Sequence, residues 1–126
     1  MNDDDHSPPS SALRRAQDVG KQAARRGFDW PDADGALAKL DEELQELKQE
    51  MVADTDAAGI REEFGDLLFS MVNLARHLDV DAETVLEEAV VKFERRFQRV
   101  QSLADSPMET MELEELEGLW QQAKNW

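Results

Sequence analysis

The chain has 126 residues, with 14 Lys and Arg against 29 Asp and Glu and a formal net charge of −15. That length suits one ordinary domain with a single core, and the absence of cysteine removes disulfides, thiolate zinc sites and a cysteine nucleophile together. So acidic a surface repels nucleic acid and anionic lipid, no apolar run approaches a spanning helix, and Asp3, Asp4 and Asp5 stand where a signal peptide needs basic residues. The expectation is a cytoplasmic protein with no nucleic-acid or membrane partner.

Residues 1–10 are polar, contain Pro8 and Pro9, and read as a disordered leader; residues 11–126 read as one domain. Helix formers dominate from Ser11 onward and no period-2 strand pattern appears. A first helix is expected from about Ser11 to Arg26, stopped by Gly27, followed by the aromatic connector Gly27-Phe28-Asp29-Trp30-Pro31. A second covers about Asp34 to Ala53, with Leu37, Leu40, Leu44, Leu47 and Met51 at alternating spacings of 3 and 4, one apolar stripe. Asp56 is a natural N-cap for a third helix, from about Ala57 to Leu78. Asp81 opens a fourth that reaches about Leu103, with Leu86, Val90, Phe93, Phe97 and Val100 expected to face inward. Ser106-Pro107 breaks the chain before a last helix from about Met111 to Lys124. Long amphipathic helices on short links predict an all-α fold, a bundle of four to five helices.

The second helix carries Glu42-Glu43-x-x-Glu46 and the third Glu63-x-x-Asp66. At 100° per residue Glu43 and Glu46 share one flank of the leucine stripe, with Lys39 and Glu50 beside them, while Glu42 turns toward solvent. Glu-rich helices are commonly just solvated, and that reading suits Glu42 and Glu50 taken alone. Asp66 is different, since it lies in Phe64-Gly65-Asp66-Leu67-Leu68-Phe69, apolar around most of the helix, on a narrow polar strip with Ser70, Asn73 and His77. A carboxylate buried there needs a donor, a cation or a metal. Two pairs of acids facing each other across a helix interface repel unless a cation lies between them, and magnesium suits all-oxygen ligands and phosphate. Di-iron bundles use Glu-x-x-His pairs, and neither His6 nor His77 has Glu three residues before it. Lys92, Arg95, Arg96 and Arg99 form a cationic edge on the fourth helix, open to two readings: salt-bridge partners for the abundant Glu, or a phosphate clamp. His77 sits at a helix C-terminus, where it favours the dipole. In isolation Trp120 reads as a core residue rather than a stacking platform.

Glu42-Glu43-x-x-Glu46, a 16-residue gap and Glu63-x-x-Asp66 together resemble the signature of the MazG family of all-α nucleoside triphosphate pyrophosphohydrolases. The likeness extends through Gly27-Phe28-Asp29-Trp30, Gly65-Asp66-Leu67-Leu68-Phe69, Asn73-Leu74-Ala75-Arg76-His77-Leu78, Lys92-Phe93-Glu94-Arg95-Arg96-Phe97 and Trp120-Gln121-Gln122-x-Lys124, covering about Ala12 to Trp126. Five blocks in order are far more specific than the acid spacing alone. The resemblance implies a homodimer with its active site between helices of the dimer. The implied reaction is hydrolysis between the α- and β-phosphates to a nucleoside monophosphate and pyrophosphate. It places Glu43, Glu46, Glu63 and Asp66 as magnesium ligands (manganese as a substitute), with Glu42 and Glu62 as flanking acids that orient water or a second metal. Lys39, Lys92, Arg96, Trp120 and Lys124 match positions that contact the nucleotide. Asn73, two turns from Asp66, is a candidate partner for a ligand carboxylate or a hydrating water. The chain departs from two-domain members in lacking their first copy, and its short acidic leader favours a stand-alone form. A broad house-cleaning activity is expected. The competing readings are a narrow dUTP- or dCTP-type pyrophosphatase and a non-catalytic acidic helical scaffold.

Overall fold

A computed structural model describes residues 11–53 and 57–125. They contain five α-helices and no strand: α1 (Ala12–Arg25), α2 (Ala33–Ala53), α3 (Ala57–His77), α4 (Ala82–Leu103) and α5 (Leu113–Lys124), with a 3₁₀ turn at Met108–Thr110. The leader and the expected cap Asp56 lie outside the described residues. Two compact units divide the chain between Glu83 and Thr84, so the first turn of α4 belongs to the first unit.

Local chemistry sets the helix ends. The Ser11 side chain accepts from the Arg14 backbone N–H at 3.1 Å, satisfying an amide that α1 cannot. At the other end Phe28 N–H bonds Ala23 O and Gly27 N–H bonds Ala24 O, a pairing that needs the left-handed backbone Gly27 adopts at φ 87°. Asp79 makes the same turn after α3 at φ 61°, with Val80 N–H on Ala75 O. The last helix starts at Leu113 rather than Met111. Glu112 and Glu115 there form a reciprocal capping box, and Pro107 opens the separate 3₁₀ turn upstream.

In the first unit α3 packs against both α1 and α2. Two polar ties hold the segments around it. Gln17 on α1 is buried and uses both ends of its amide: Nε2 donates to Val80 O at 3.0 Å and Oε1 accepts from Ala82 N–H at 2.8 Å. This ties α1 to the link between α3 and α4. The second tie holds the aromatic connector. Asp29 takes a two-pronged bond from Arg76 (Nη1 to Oδ2 2.9 Å, Nη2 to Oδ1 2.7 Å), lies 3.0 Å from His77 Nε2, and accepts from the Trp30 backbone N–H at 2.8 Å. The Arg76 guanidinium, more than any other group, holds the Asp29 carboxyl far below the ordinary carboxylate range; burial opposes it and the His77 bond assists.

The apolar stripes are placed as expected but not buried as expected. On α2 only Leu47 of the stripe is buried, while Leu37, Leu44 and Met51 are exposed. Of the α4 stripe only Val100 is buried, and Leu86, Val90, Phe93 and Phe97 stay exposed. Helical spacing marks which face must be covered; it does not say what covers it. In the second unit Phe93 stacks on Phe97 with ring centroids 6.0 Å apart, and Trp120 of α5 leans on Phe93 at 5.4 Å.

Replacing Gln17 with Met keeps the length and removes both polar ends. It strands a buried amide and a carbonyl, so chemical denaturation is expected to show a loss of about 2–3 kcal/mol. The Asp29 clamp predicts acid sensitivity of a definite sign. Its folded pKa is depressed, so its contribution is complete above the unfolded carboxylate value of about 4 and is lost as pH falls below that through the native value. Thermal melts of Asp29→Asn should show lower stability at neutral pH and a flatter dependence below pH ~4 than the unaltered chain.

Candidate metal centre

The α2–α3 hairpin brings the acids together. Glu43 lies ten residues before the end of α2 and Asp66 nine residues after the start of α3. At about 1.5 Å per residue the two sit at the same height above the link. Two groups of carboxylates result, each with ligand oxygens within 4.8 Å of one another: Glu42 with Glu43 and Glu46, and Glu43 with Glu63 and Asp66. Glu43 belongs to both.

Their environments differ. Glu43 is the buried one, at 6% exposure, with Glu46 and Glu63 half-buried and Glu42 and Asp66 exposed. This corrects the expectation that Asp66 is the carboxylate sunk in an apolar helix. The side chains around it (Phe64, Leu68, Phe69 and Met71) are themselves open, so the apolarity of α3 does not bury it. The interior place falls to Glu43, whose side of α2 faces α3. Glu62 is exposed beside this group.

The electrostatics are those of an anion cluster short of positive charge. Oε2 of Glu43 and Oε2 of Glu63 are both shielded from solvent, and neither has a hydrogen-bond partner. The Glu63 carboxyl is pushed upward by burial first, then by the Glu46 charge and a bond shared with Glu43, with Asp66 adding repulsion. Lys39 is the local counter-charge, with Nζ 2.8 Å from Glu42 Oε1 and 3.0 Å from Glu43 Oε1. Those two acids, Glu42 foremost, hold the Lys39 ammonium above its ordinary value. One ammonium on the Glu42–Glu43 side leaves the inward oxygens of Glu43 and Glu63 uncompensated.

An all-carboxylate set fits a hard divalent cation, because orphaned anionic oxygens are what such an ion takes as ligands. It does not fit a thiolate or imidazole metal, since the chain has no cysteine and His77 is engaged with Asp29.

The remaining expected residues fall in two places. Asn73 is on α3, where its Oδ1 accepts from Arg76 Nη2 at 2.6 Å. Lys92 and Arg96 are on α4, the first exposed and the second half-buried, and neither is in an ion pair among the described residues. Trp120 packs on Phe93, and Lys124 is exposed in the last turn of α5. Gln17, Asp29 and Arg76 were not singled out from their residue types. The signal for Asp29 and Arg76 lies in the Gly27–Trp30 and Asn73–Leu78 blocks, which look like plain helix-end and connector sequence until the clamp joins them, and Gln17 carries none.

Comparison with known proteins gives the family. The model of the MazG nucleotide pyrophosphohydrolase domain matches residues 33–101, which span α2, α3 and nearly all of α4. The chain is 40% identical over 121 residues to the nucleoside triphosphate pyrophosphohydrolase/pyrophosphatase MazG of Thermotoga maritima, covering 94% of this chain and 46% of that protein. It is 44% identical over 120 residues to the nucleoside triphosphate pyrophosphohydrolase of Escherichia coli K12, covering 90% of this chain and 44% of that one. The chain thus spans less than half the length of these relatives. With the family model matching more than half of it, and with the acids that family's signature led us to expect gathered at one helix interface, the chain belongs to the MazG nucleotide pyrophosphohydrolase domain family.

Proposed function

We propose that this chain is a magnesium-dependent hydrolase that cleaves nucleoside triphosphates between the α- and β-phosphates, releasing the monophosphate and pyrophosphate. The observation that carries the reading is the pair of shielded, unpartnered carboxylate oxygens on Glu43 and Glu63. Leaving such groups uncompensated is costly, and a fold keeps them where a cation is meant to go. The names of the Thermotoga and Escherichia relatives support the same reaction.

Glu43, Glu46, Glu63 and Asp66 would hold the magnesium, with manganese as a substitute. The ion supplies Lewis acidity toward phosphate oxygens and neutralises part of the triphosphate charge. The chain's own groups supply the rest. Glu42 and Glu62, both exposed, are offered as the flanking acids that orient water or a second metal. Lys39 bridges Glu42 and Glu43, so it lowers the repulsion of the acids for an arriving polyphosphate. Lys92 and Arg96 are offered as the cations that stabilise the leaving pyrophosphate, with Trp120 and Lys124 as further nucleotide contacts. We read the protein as a homodimer. The apolar side chains left open on α2 and α3, among them Leu44, Phe64, Leu68 and Met71, support this by calling for a cover.

The direct test is release of pyrophosphate from the eight common NTPs and dNTPs, with magnesium and with EDTA. Magnesium-dependent monophosphate and pyrophosphate from several of them is the expected result. One dominant substrate would favour a narrow dUTP- or dCTP-type enzyme, and no cleavage with no magnesium binding would leave only an acidic helical scaffold. Glu43→Gln should lower kcat by at least ~100-fold. The same change should raise the melting temperature measured without metal, because it removes a buried like charge. An inactive variant of unchanged metal-free stability would argue against the cation reading. Lys92→Ala should raise KM for the triphosphate far more than it lowers kcat; unchanged constants would return the basic edge to a solvated face.

A further inference from the structure

The charge of α1 is opposite in sign to that of the rest of the chain. Between Ala12 and Arg26 stand five of the 14 basic residues (Arg14, Arg15, Lys21, Arg25 and Arg26) and one of the 29 acids, Asp18. All six of these residues are exposed. Arg14 meets Asp81 at a loose 3.8 Å, and Arg15, Lys21, Arg25 and Arg26 have no ion pair among the described residues. In a chain so rich in acids, four neighbouring cations go without a carboxylate only because the fold puts its acids elsewhere.

The helix sorts its two sides. On the inner side Gln17 reaches the link between α3 and α4, and Gly20 lies against Asn73 and Arg76. Val19, Gly20 and Ala23 there close an aromatic cleft of about 370 Å³ against the connector and α3, with Phe28, Trp30 and Phe69 in its walls. At about 100° per residue, Arg14, Arg15, Asp18, Lys21 and Arg25 share the outer side, an arc about 120° wide centred on Asp18. The base paired with the carboxylates of the candidate metal centre is Lys39 of α2, so the hydrolase reading leaves the α1 cations unused.

We propose that the outer face of α1 docks an acidic segment of a partner protein, a role independent of the hydrolase reading. Two features favour a protein segment over a nucleic acid. The first is length: α1 has 14 residues and is about 20 Å long. A duplex carries one charge per about 1.7 Å, so it lays about a dozen phosphates across the face and runs on over the acidic remainder of the chain. A short acidic segment keeps its charge on the face, and a screening length of about 8 Å at physiological salt hides it from the acids beyond. The second is Asp18. At the centre of the arc it repels a uniform polyanion, whereas a protein segment can set a neutral or donor side chain opposite it. Four of the five cations are Arg, whose planar fork binds a carboxylate through two parallel bonds.

The experiment measures fluorescence anisotropy at about 0.15 M salt with two labelled probes: a Glu-rich peptide about as long as α1, and an oligothymidylate of equal charge. The peptide should bind the full chain. Lys21→Glu with Arg25→Glu should weaken it at least about tenfold, and Asp18→Asn should tighten it about threefold. Lys48→Glu with Arg61→Glu makes the same change in net charge at exposed positions of α2 and α3, and should leave the peptide within about twofold. Pyrophosphate release by the Lys21 and Arg25 variant should equal that of the unaltered chain. Equal weakening by the two charge-matched variants would overturn the proposal, because binding would then follow net charge alone. Tighter binding of the oligothymidylate would overturn it in favour of a nucleic acid, and no binding of the peptide would leave a solvated face. Peptide binding seen only when Asp3→Asn, Asp4→Asn and Asp5→Asn are combined would give the face to the chain's own leader and overturn a partner in trans.

Discussion

Like charges packed against one another between two helices are the constraint around which the first unit is arranged. Glu43 is buried where α2 meets α3, next to Glu63, and each has an oxygen with no hydrogen-bond partner among the described residues. Such an arrangement works against folding, since each ionised carboxylate is both desolvated and repelled. It persists because the hairpin is held by other means: Leu47 and Val72 buried on the two helices, Gln17 tying α1 to the far end of α3, and Arg76 tying the connector to α3. Strain at one face is balanced by satisfied polar ties elsewhere.

The division of basic residues follows from the same constraint. Lys39 is one turn before Glu43 and partly neutralises the outer acids, which keeps the metal-free cluster tolerable without filling its interior. Arg76 turns both terminal nitrogens to structure, forking onto Asp29 and bracing Asn73, while its buried Nε has no partner among the described residues. Lys92 and Arg96 have no such commitment among the described residues. In a chain with this acidic balance, cations kept out of ion pairs are a resource for an anionic ligand.

The polar strip expected along α3 from Asp66 through Ser70 and Asn73 to His77 is real, but its members do three different things. Asp66 joins the acids at one end. Asn73, with Phe69 beside it, lines the aromatic cleft in the middle. His77, with Arg76, fastens the connector at the other end. One helix face thus orders part of a carboxylate cluster, an aromatic cleft and a mechanical tie along a single axis.

The residues alone determined the helical fold, the helix order and most of the ends, because caps, glycines and 3.6-residue periodicity act within a turn or two of chain. They also marked the acids, since Glu42 to Glu46 and Glu63 to Asp66 lie at spacings that share a helix face. What they left undecided is which acid is buried. Asp66 looked interior from its apolar neighbours, yet the packing of α2 on α3 gave that place to Glu43, which stands in sequence between Glu42 and Leu44. The stripes of α2 and α4 were likewise visible while their cover was not. The Asp29–Arg76 clamp joins residues 47 apart, and the cleft exists only because α1, the connector and α3 converge. Burial and long-range pairing depend on which faces meet, and only the tertiary structure decides that.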